Sequence, residues 1–242
     1  MPWLRAGSDN VAMLDLLISP TPEPDDADPR SIVIGRNYRT NRTEAFSDGV
    51  FAIAITLLVL EIAVPEASVK DLPGALVAQL PSLLGYVVSF ATIGAIWLAH
   101  TALTEFVDRV DAFFDRLNLL LLMVVSFIPF PTALLAEHTG SVDSERFAAT
   151  VYGITLLLAS LLNTLLWRYA ERAKLIKADA DNQEVRLLSS RLLPGVGFYG
   201  AMIVVGLVRP MGAVIGYLVI ALFFLLPVPL FGWRRWHHRG ER

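Results

Sequence analysis

The stretch Arg42-Thr-Glu-Ala-Phe46-Ser47-Asp48 puts a guanidinium, a hydroxyl and a carboxylate at the head of an apolar run. The run continues Gly-Val-Phe-Ala-Ile53-Ala-Ile-Thr56-Leu57-Leu-Val-Leu60-Glu61. An ionised side chain well inside a bilayer costs about 2.5–3.5 kcal/mol even on insertion scales, so Arg42 and Asp48 both demand partners. At about 100° per residue they fall on different sides of a helix and cannot pair within it. Polar candidates elsewhere are Trp97 and His100 late in the second apolar segment, with Arg116 and Asn118 opening the third. The chemistry these types can do is anchoring of one helix to its neighbours. Further along, Ile53, Leu57 and Leu60 fall within about 60° of one another, a single apolar stripe with Thr56 at its edge. Periodicity alone leaves two uses open: contact with lipid or another helix, or, in a closed ring of copies, stacked apolar rings that gate a pore by dewetting. In the second case Glu61, beside the negative end of the helix dipole, would draw cations to the mouth.

Other chemistry is thinly supplied. There is no cysteine, which removes disulfides, thiolate metal sites and thiol nucleophiles. His138 lies near Glu137 and Asp143, but a metal site needs about three fixed protein ligands, and His237-His238 falls in the opposite compartment. A solvated loop histidine is the simpler reading. Thr150-Val-Tyr152-Gly153 resembles a potassium filter in the wrong order, near the start of an apolar span and without a re-entrant loop. No Ser/His/Asp set and no phosphate loop is present, so the chain is not read as an enzyme. A net charge of −3 gives no reason to expect a nucleic-acid partner, and no cofactor is implied.

What must position these groups is a set of long apolar segments. Of 242 residues, 55% are hydrophobic and 18% charged, and mean hydropathy is +0.55; soluble domains carry about 25% charged residues. A bilayer crossing takes roughly 20 apolar residues, and the unbroken runs exclude the alternating strands of a membrane barrel. Six segments qualify: 45–64, 76–99, 117–136, 148–167, 192–208 and 211–233. Pro73 suits the first turn of the second, and only Arg209-Pro210 separates the last two, which predicts a tight hairpin. No internal repeat is visible, so the expectation is one all-α, six-helix membrane unit at 39–235. An N-terminal segment, 1–38, is expected to be largely disordered because of its Pro- and acid-rich run; within it, 11–18 reads as a short surface helix. A basic tail, 236–242, closes the chain. Seventeen of the 20 Lys and Arg lie before the first segment, between the second and third, between the fourth and fifth, or after the sixth. That asymmetry predicts both termini in the cytoplasm, with Trp233 and Trp236 as interfacial anchors.

The signature Arg42-x-x-x-Phe46-Ser47-Asp48 with its apolar continuation closely resembles the transmembrane protein 175 family, the endolysosomal potassium channels of animals and their prokaryotic relatives. Leu117-Asn118 through Ser126-Phe-Ile-Pro129-Phe-Pro131-Thr132 is similar to that family's third helix, and the likeness extends over about 40–235. Animal members carry two six-helix repeats per chain and this chain has one, so the resemblance implies the prokaryotic form: a homotetramer in the cell's inner (plasma) membrane, in contact with lipid and passing monovalent cations. It further implies that the first helix lines the pore, with Ile53 at the narrowest ring, Leu57 and Leu60 in rings one and two turns outward, and Thr56 in a threonine layer considered for selectivity. Arg42, Phe46, Ser47 and Asp48 correspond to residues that fix this helix, with Trp97, His100 and Asn118 as supporting members. Permeant potassium would be the only bound species, passing without a carbonyl filter, in keeping with the absence of Thr-Val-Gly-Tyr-Gly. Two other readings stand beside it. A secondary transporter would show inverted repeats and broken helices around a midplane site, and no two halves of this chain match. A non-conducting accessory subunit would use the stripe for packing.

Overall fold

Each long helix is started or stopped by a residue suited to that job. The computed structural model describes residues 29–62, 74, 77, 79–137 and 141–225. The expected short helix at 11–18, the loop residue His138, the anchors Trp233 and Trp236, and the tail 236–242 lie outside them. Among the described residues seven α-helices can be given bounds, in this order. The first, α1, runs Pro29–Leu57 and continues as a 3-10 turn, Leu58–Glu61. It thus begins well before the apolar run and reaches into the N-terminal segment expected to lack structure. Extended backbone at Ile62 ends it.

Helix α2, Leu80–Phe106, has Pro81 in its first turn, a place where a missing N–H costs nothing; the expected opening at Pro73 and start at Leu76 lie outside the described residues. The third apolar segment is two helices rather than one. In α3, Ala112–Phe127, the Asp111 carboxylate accepts from Phe113 N and Phe114 N at 3.0 and 2.8 Å, satisfying donors that a helix start leaves unpaired. Ile128 separates it from α4, Pro129–Glu137, because Pro129 and Pro131 supply no N–H to the preceding turn.

Helix α5, Val142–Arg172, is capped by Ser141 and carries Asp143 and Glu145 in its first turn and Arg172 in its last, all matched to the helix dipole. Lys174, at φ 55, turns the chain out of it. Helix α6, Asn182–Val208, starts about ten residues before the apolar run, on an Asp181 cap, and tolerates Pro194 in its interior. Arg209 alone links it to α7, Pro210–Leu225, which is the expected hairpin.

Five of these spans, taking α3 and α4 as one, are long and apolar enough to cross a membrane, and α7 is a shorter apolar helix among the described residues. All described regular structure is helical apart from one bridge between Val107 and Ile176. Helices α2 and α5 occupy the middle of the bundle. On one side α1 packs against α2 and α3; on the other, α6 and α7 pack against α5, and α7 also against α2. The largest buried side chains are Trp167, Tyr152, Tyr217, Phe51 and Phe114. Gly153 on α5 is required by a close approach, since a Cβ there would meet the Tyr217 hydroxyl of α7.

Candidate functional site

Helix α1 has two unlike faces. Phe51, Ala54 and Leu58 are at most 1% exposed and look into the bundle, one turn apart. On the other side Ile53, Leu57 and Leu60 are 61%, 40% and 74% exposed, so the described residues leave the stripe largely uncovered. The 3-10 turn sharpens it: side chains at i and i+3 eclipse in that geometry, so Leu60 stacks directly over Leu57. The same geometry places Glu61 over the buried Leu58, and it is half-buried, turned toward the bundle instead of along the stripe. Thr56 is exposed, and its hydroxyl donates to the Ile53 carbonyl at 2.9 Å. With its hydrogen so used, the oxygen faces outward as an acceptor.

Below the stripe, α1 is tied to two other helices. Asn118 Nδ2 of α3 donates to Ser47 Oγ at 2.9 Å, and Ser47 Oγ donates to the Thr43 carbonyl at 2.8 Å. His100 of α2 meets Asn118 Oδ1 at 2.9 Å. Because Asn118 Oδ1 can only accept, His100 Nε2 carries the hydrogen. Ser47, His100 and Asn118 are 0%, 1% and 2% exposed, so each group depends on the others for its hydrogen bonds. Separately, Trp97 Nε1 donates to Asp48 Oδ1 at 2.8 Å on the exposed side. The structure therefore brings Ser47, Asp48, Trp97, His100 and Asn118 together. Phe46, 55% exposed, and Arg42, also exposed, stand outside the buried relay.

Several contacts escape a reading of the sequence. Phe51 stacks against the His100 ring with centroids 5.5 Å apart, which in sequence was one apolar residue among many. Thr43 donates to Asp115 Oδ1 of α3 at 3.0 Å, adding a third tie on α1. Next to it Thr40, Glu44, Glu105, Asp108 and Lys177 line an open polar cleft of about 710 Å³. The cleft is closed on one side by the α5–α6 connection, where Asp108 N donates to the Leu175 carbonyl at 2.8 Å and Lys177 N to that of Phe106 at 2.9 Å. No spacing in the chain announces that contact. Asp111 lies outside the membrane-spanning segments. Burial opposes its ionisation, yet hydrogen bonds from Tyr169 and from the Phe114 and Phe113 amides, with Arg109 nearby, hold its carboxyl below the usual carboxylate range.

Comparison with known proteins gives this geometry a lineage. Residues 42–129, from the signature arginine to the first residue of α4, match the family model described as endosomal/lysosomal potassium channel TMEM175. The chain is 42% identical over 192 residues to a potassium channel of Chamaesiphon minutus, covering 77% of this chain and 94% of that one. It belongs to the TMEM175 family. A potassium channel of Streptomyces collinus is 43% identical over 173 residues, 69% of this chain and 82% of that relative. The crystal structure of a lysosomal potassium-selective channel TMEM175 homolog from Chamaesiphon minutus matches with a TM-score of 0.70 at 38% identity, over 77% of this chain and 96% of that one. The TMEM175 family is a channel family and not an enzyme family, and this member is a multi-pass, all-helical membrane protein. Every residue of the relay and of the stripe falls inside the segment matched by the TMEM175 model.

Proposed function

We propose that this chain conducts potassium passively across a bacterial inner membrane, as a homotetramer with α1 innermost and both termini cytoplasmic. In that arrangement Ile53 forms the narrowest ring, with Leu57 and Leu60 stacked outward of it. A ring of four such side chains is too apolar and too narrow to stay wet unless it widens, and this is the gate. Thr56, presenting oxygen, offers a weak polar layer between the rings. Glu61 stands behind the stripe at the outer end of α1, where its charge adds to the negative end of the helix dipole. Arg42, Phe46, Ser47 and Asp48, with Trp97, His100 and Asn118, hold α1 at a fixed distance from the axis.

The observation that carries this reading is the division of α1 into a buried face and an uncovered apolar stripe inside the segment shared with the family. The basic connections, α2–α3 and α5–α6, lie at the end that carries the relay, which supports a cytoplasmic placement for it. The test is potassium flux from liposomes holding the purified protein. Wild type passes potassium down its gradient without a coupled ion, and Ile53→Ala raises flux several-fold while lowering the preference for potassium over sodium. Unchanged permeability ratios in Ile53→Ala would remove Ile53 from the constriction, and saturable, gradient-coupled uptake by wild type would replace the channel with a transporter.

A further inference from the structure

The third apolar segment breaks at Ile128, and regular helix bonds do not fix the angle of the break. Pro129 and Pro131 have no N–H to give the carbonyls of Val125 and Phe127, and Val125 is served instead by Ile128 N at 3.1 Å. Side chains hold α4 where it is. Thr132 Oγ1 donates to the Ile128 carbonyl at 2.8 Å, and the same oxygen lies 2.7 Å from Ser89 Oγ of α2. Ser89 Oγ in turn lies 3.0 Å from the Tyr152 hydroxyl of α5. All three residues are at most 1% exposed. Each hydroxyl has one hydrogen, so the directions follow. Thr132 spends its own on Ile128, Ser89 therefore donates to Thr132, and Tyr152 donates to Ser89.

This one-way chain ties α2 and α5 to the carbonyl at the break, in apolar surroundings where a hydroxyl without a partner is costly. Gly85 lets the two backbones approach: a Cβ there would meet Thr132 Cγ2 at 3.7 Å and the Thr132 carbonyl at 3.8 Å. Helix α4 bears on the stripe because the 3-10 turn Leu58–Glu61 packs against α4 and α2, with Leu58 fully buried between them and the rest of the bundle. The inner part of α1 has ties of its own, Ser47 to Asn118 and Asp48 to Trp97. The outer turn instead takes its position from the walls it rests on, and one of those walls is the helix that follows the break.

We infer that Tyr152, Ser89 and Thr132 are positioning residues for the outer end of the stripe. By clamping α4 at its break they hold the seat of the 3-10 turn, and through that seat they keep Leu60 stacked over Leu57. A buried network with every hydrogen committed allows one arrangement of the groups it joins. With the clamp lost, α4 pivots at Ile128 and the turn loses a wall, while Ile53, nearer the ties at Ser47 and Asp48, keeps its place. The inference rests on the proposal that α1 lines a pore, and it assigns control of the outer ring to hydroxyls on three other helices.

Thr132→Val removes the hydroxyl and keeps the shape, Thr132→Ser keeps the hydroxyl, and Tyr152→Phe opens the chain at its other end without touching α4. The chain has no cysteine, so Leu60→Cys reports the outer turn without background. Full-length protein in liposomes is read by potassium flux, by potassium over sodium preference, and by the rate at which a charged, water-soluble thiol reagent modifies Leu60→Cys. Thr132→Val and Tyr152→Phe should each raise flux several-fold and change the Leu60→Cys rate several-fold, with the ion preference unmoved. Thr132→Ser should match wild type in all three. Leu60→Ala added to Thr132→Val should raise flux no further than Leu60→Ala alone, the non-additivity of residues acting through one another. A Leu60→Cys rate unmoved by both hydroxyl variants overturns the clamp. So does a lowered ion preference, which would mean that the disturbance reaches Ile53, or a Thr132→Ser variant that behaves like Thr132→Val. A changed Leu60→Cys rate at wild-type flux upholds the clamp and takes the outer ring out of the conduction path.

Discussion

The two halves of α1 are held by opposite means. Around Ser47 and Asp48 the helix is fixed by directional bonds to two other helices; from Phe51 to Leu58 its buried face carries apolar side chains, Phe51 lying against the His100 ring, and its other face is largely exposed. The difference teaches where each kind of interaction is useful. Hydrogen bonds among buried groups demand one geometry and so set position and rotation. A bare apolar face has no partner to lose, and its residues are free to be chosen for width and dryness. Stability should therefore depend on the first half and conduction on the second.

Four substitutions would break or sharpen that division, ordered by their effect on stability. Asn118→Ala strips the buried His100 of its partner and leaves Ser47 only its bond to the Thr43 carbonyl; it should cost about 1–3 kcal/mol, the range for a buried group left unsatisfied, as thermal unfolding in detergent and the yield of assembled protein read it. Survival of Asn118→Ala at wild-type stability would mean that the relay does not hold α1. Trp97→Phe keeps the ring and removes one bond to Asp48 at an exposed position, for a loss of about 1 kcal/mol. Its melting temperature should fall by a few degrees, with potassium selectivity unchanged.

Asp111→Asn tests the loop that caps α3 beside the relay. The folded carboxyl titrates below its ordinary value of 3.8, so the ionised form stabilises the fold at neutral pH, and that contribution fades as pH falls from 3.8 toward the lower folded value. The wild type should lose stability over that acid range more steeply than Asp111→Asn; parallel acid-unfolding curves would deny the cap this role. Smallest of all, Ile53→Ala should shift stability by no more than about 0.5 kcal/mol, as expected for a side chain that is 61% exposed in the protomer. The same variant should change flux several-fold, and a large stability loss without a flux change would invert the comparison.

The apolar runs were legible because bilayer thickness imposes a length on them, and the hairpin at Arg209-Pro210 followed from the lack of any longer connection. Ends were harder. Asp181 and Glu184 signal the start of α6, but the turns they begin are amphipathic, and an apolar count passes over them. Pro129 and Pro131 were visible near the end of the third segment, yet only the backbone shows a break into two helices at Ile128. At the site, the need of Asp48 for a partner and the candidacy of Trp97, His100 and Asn118 were readable from residue types. The order of the relay was not, because it depends on which faces of α2 and α3 turn toward α1. The 3-10 turn left no trace in an unbroken run of Leu, Val and Glu.

That turn has a consequence for the outermost part of the stripe. A 3-10 turn advances about 120° per residue and an α turn about 100°, so rewinding Leu58–Glu61 as α-helix would swing Leu60 about 60° away from its place above Leu57 while leaving Ile53 where it is. The protein thus carries, at one end of a rigidly moored rod, a short collar whose angular setting is independent of the mooring.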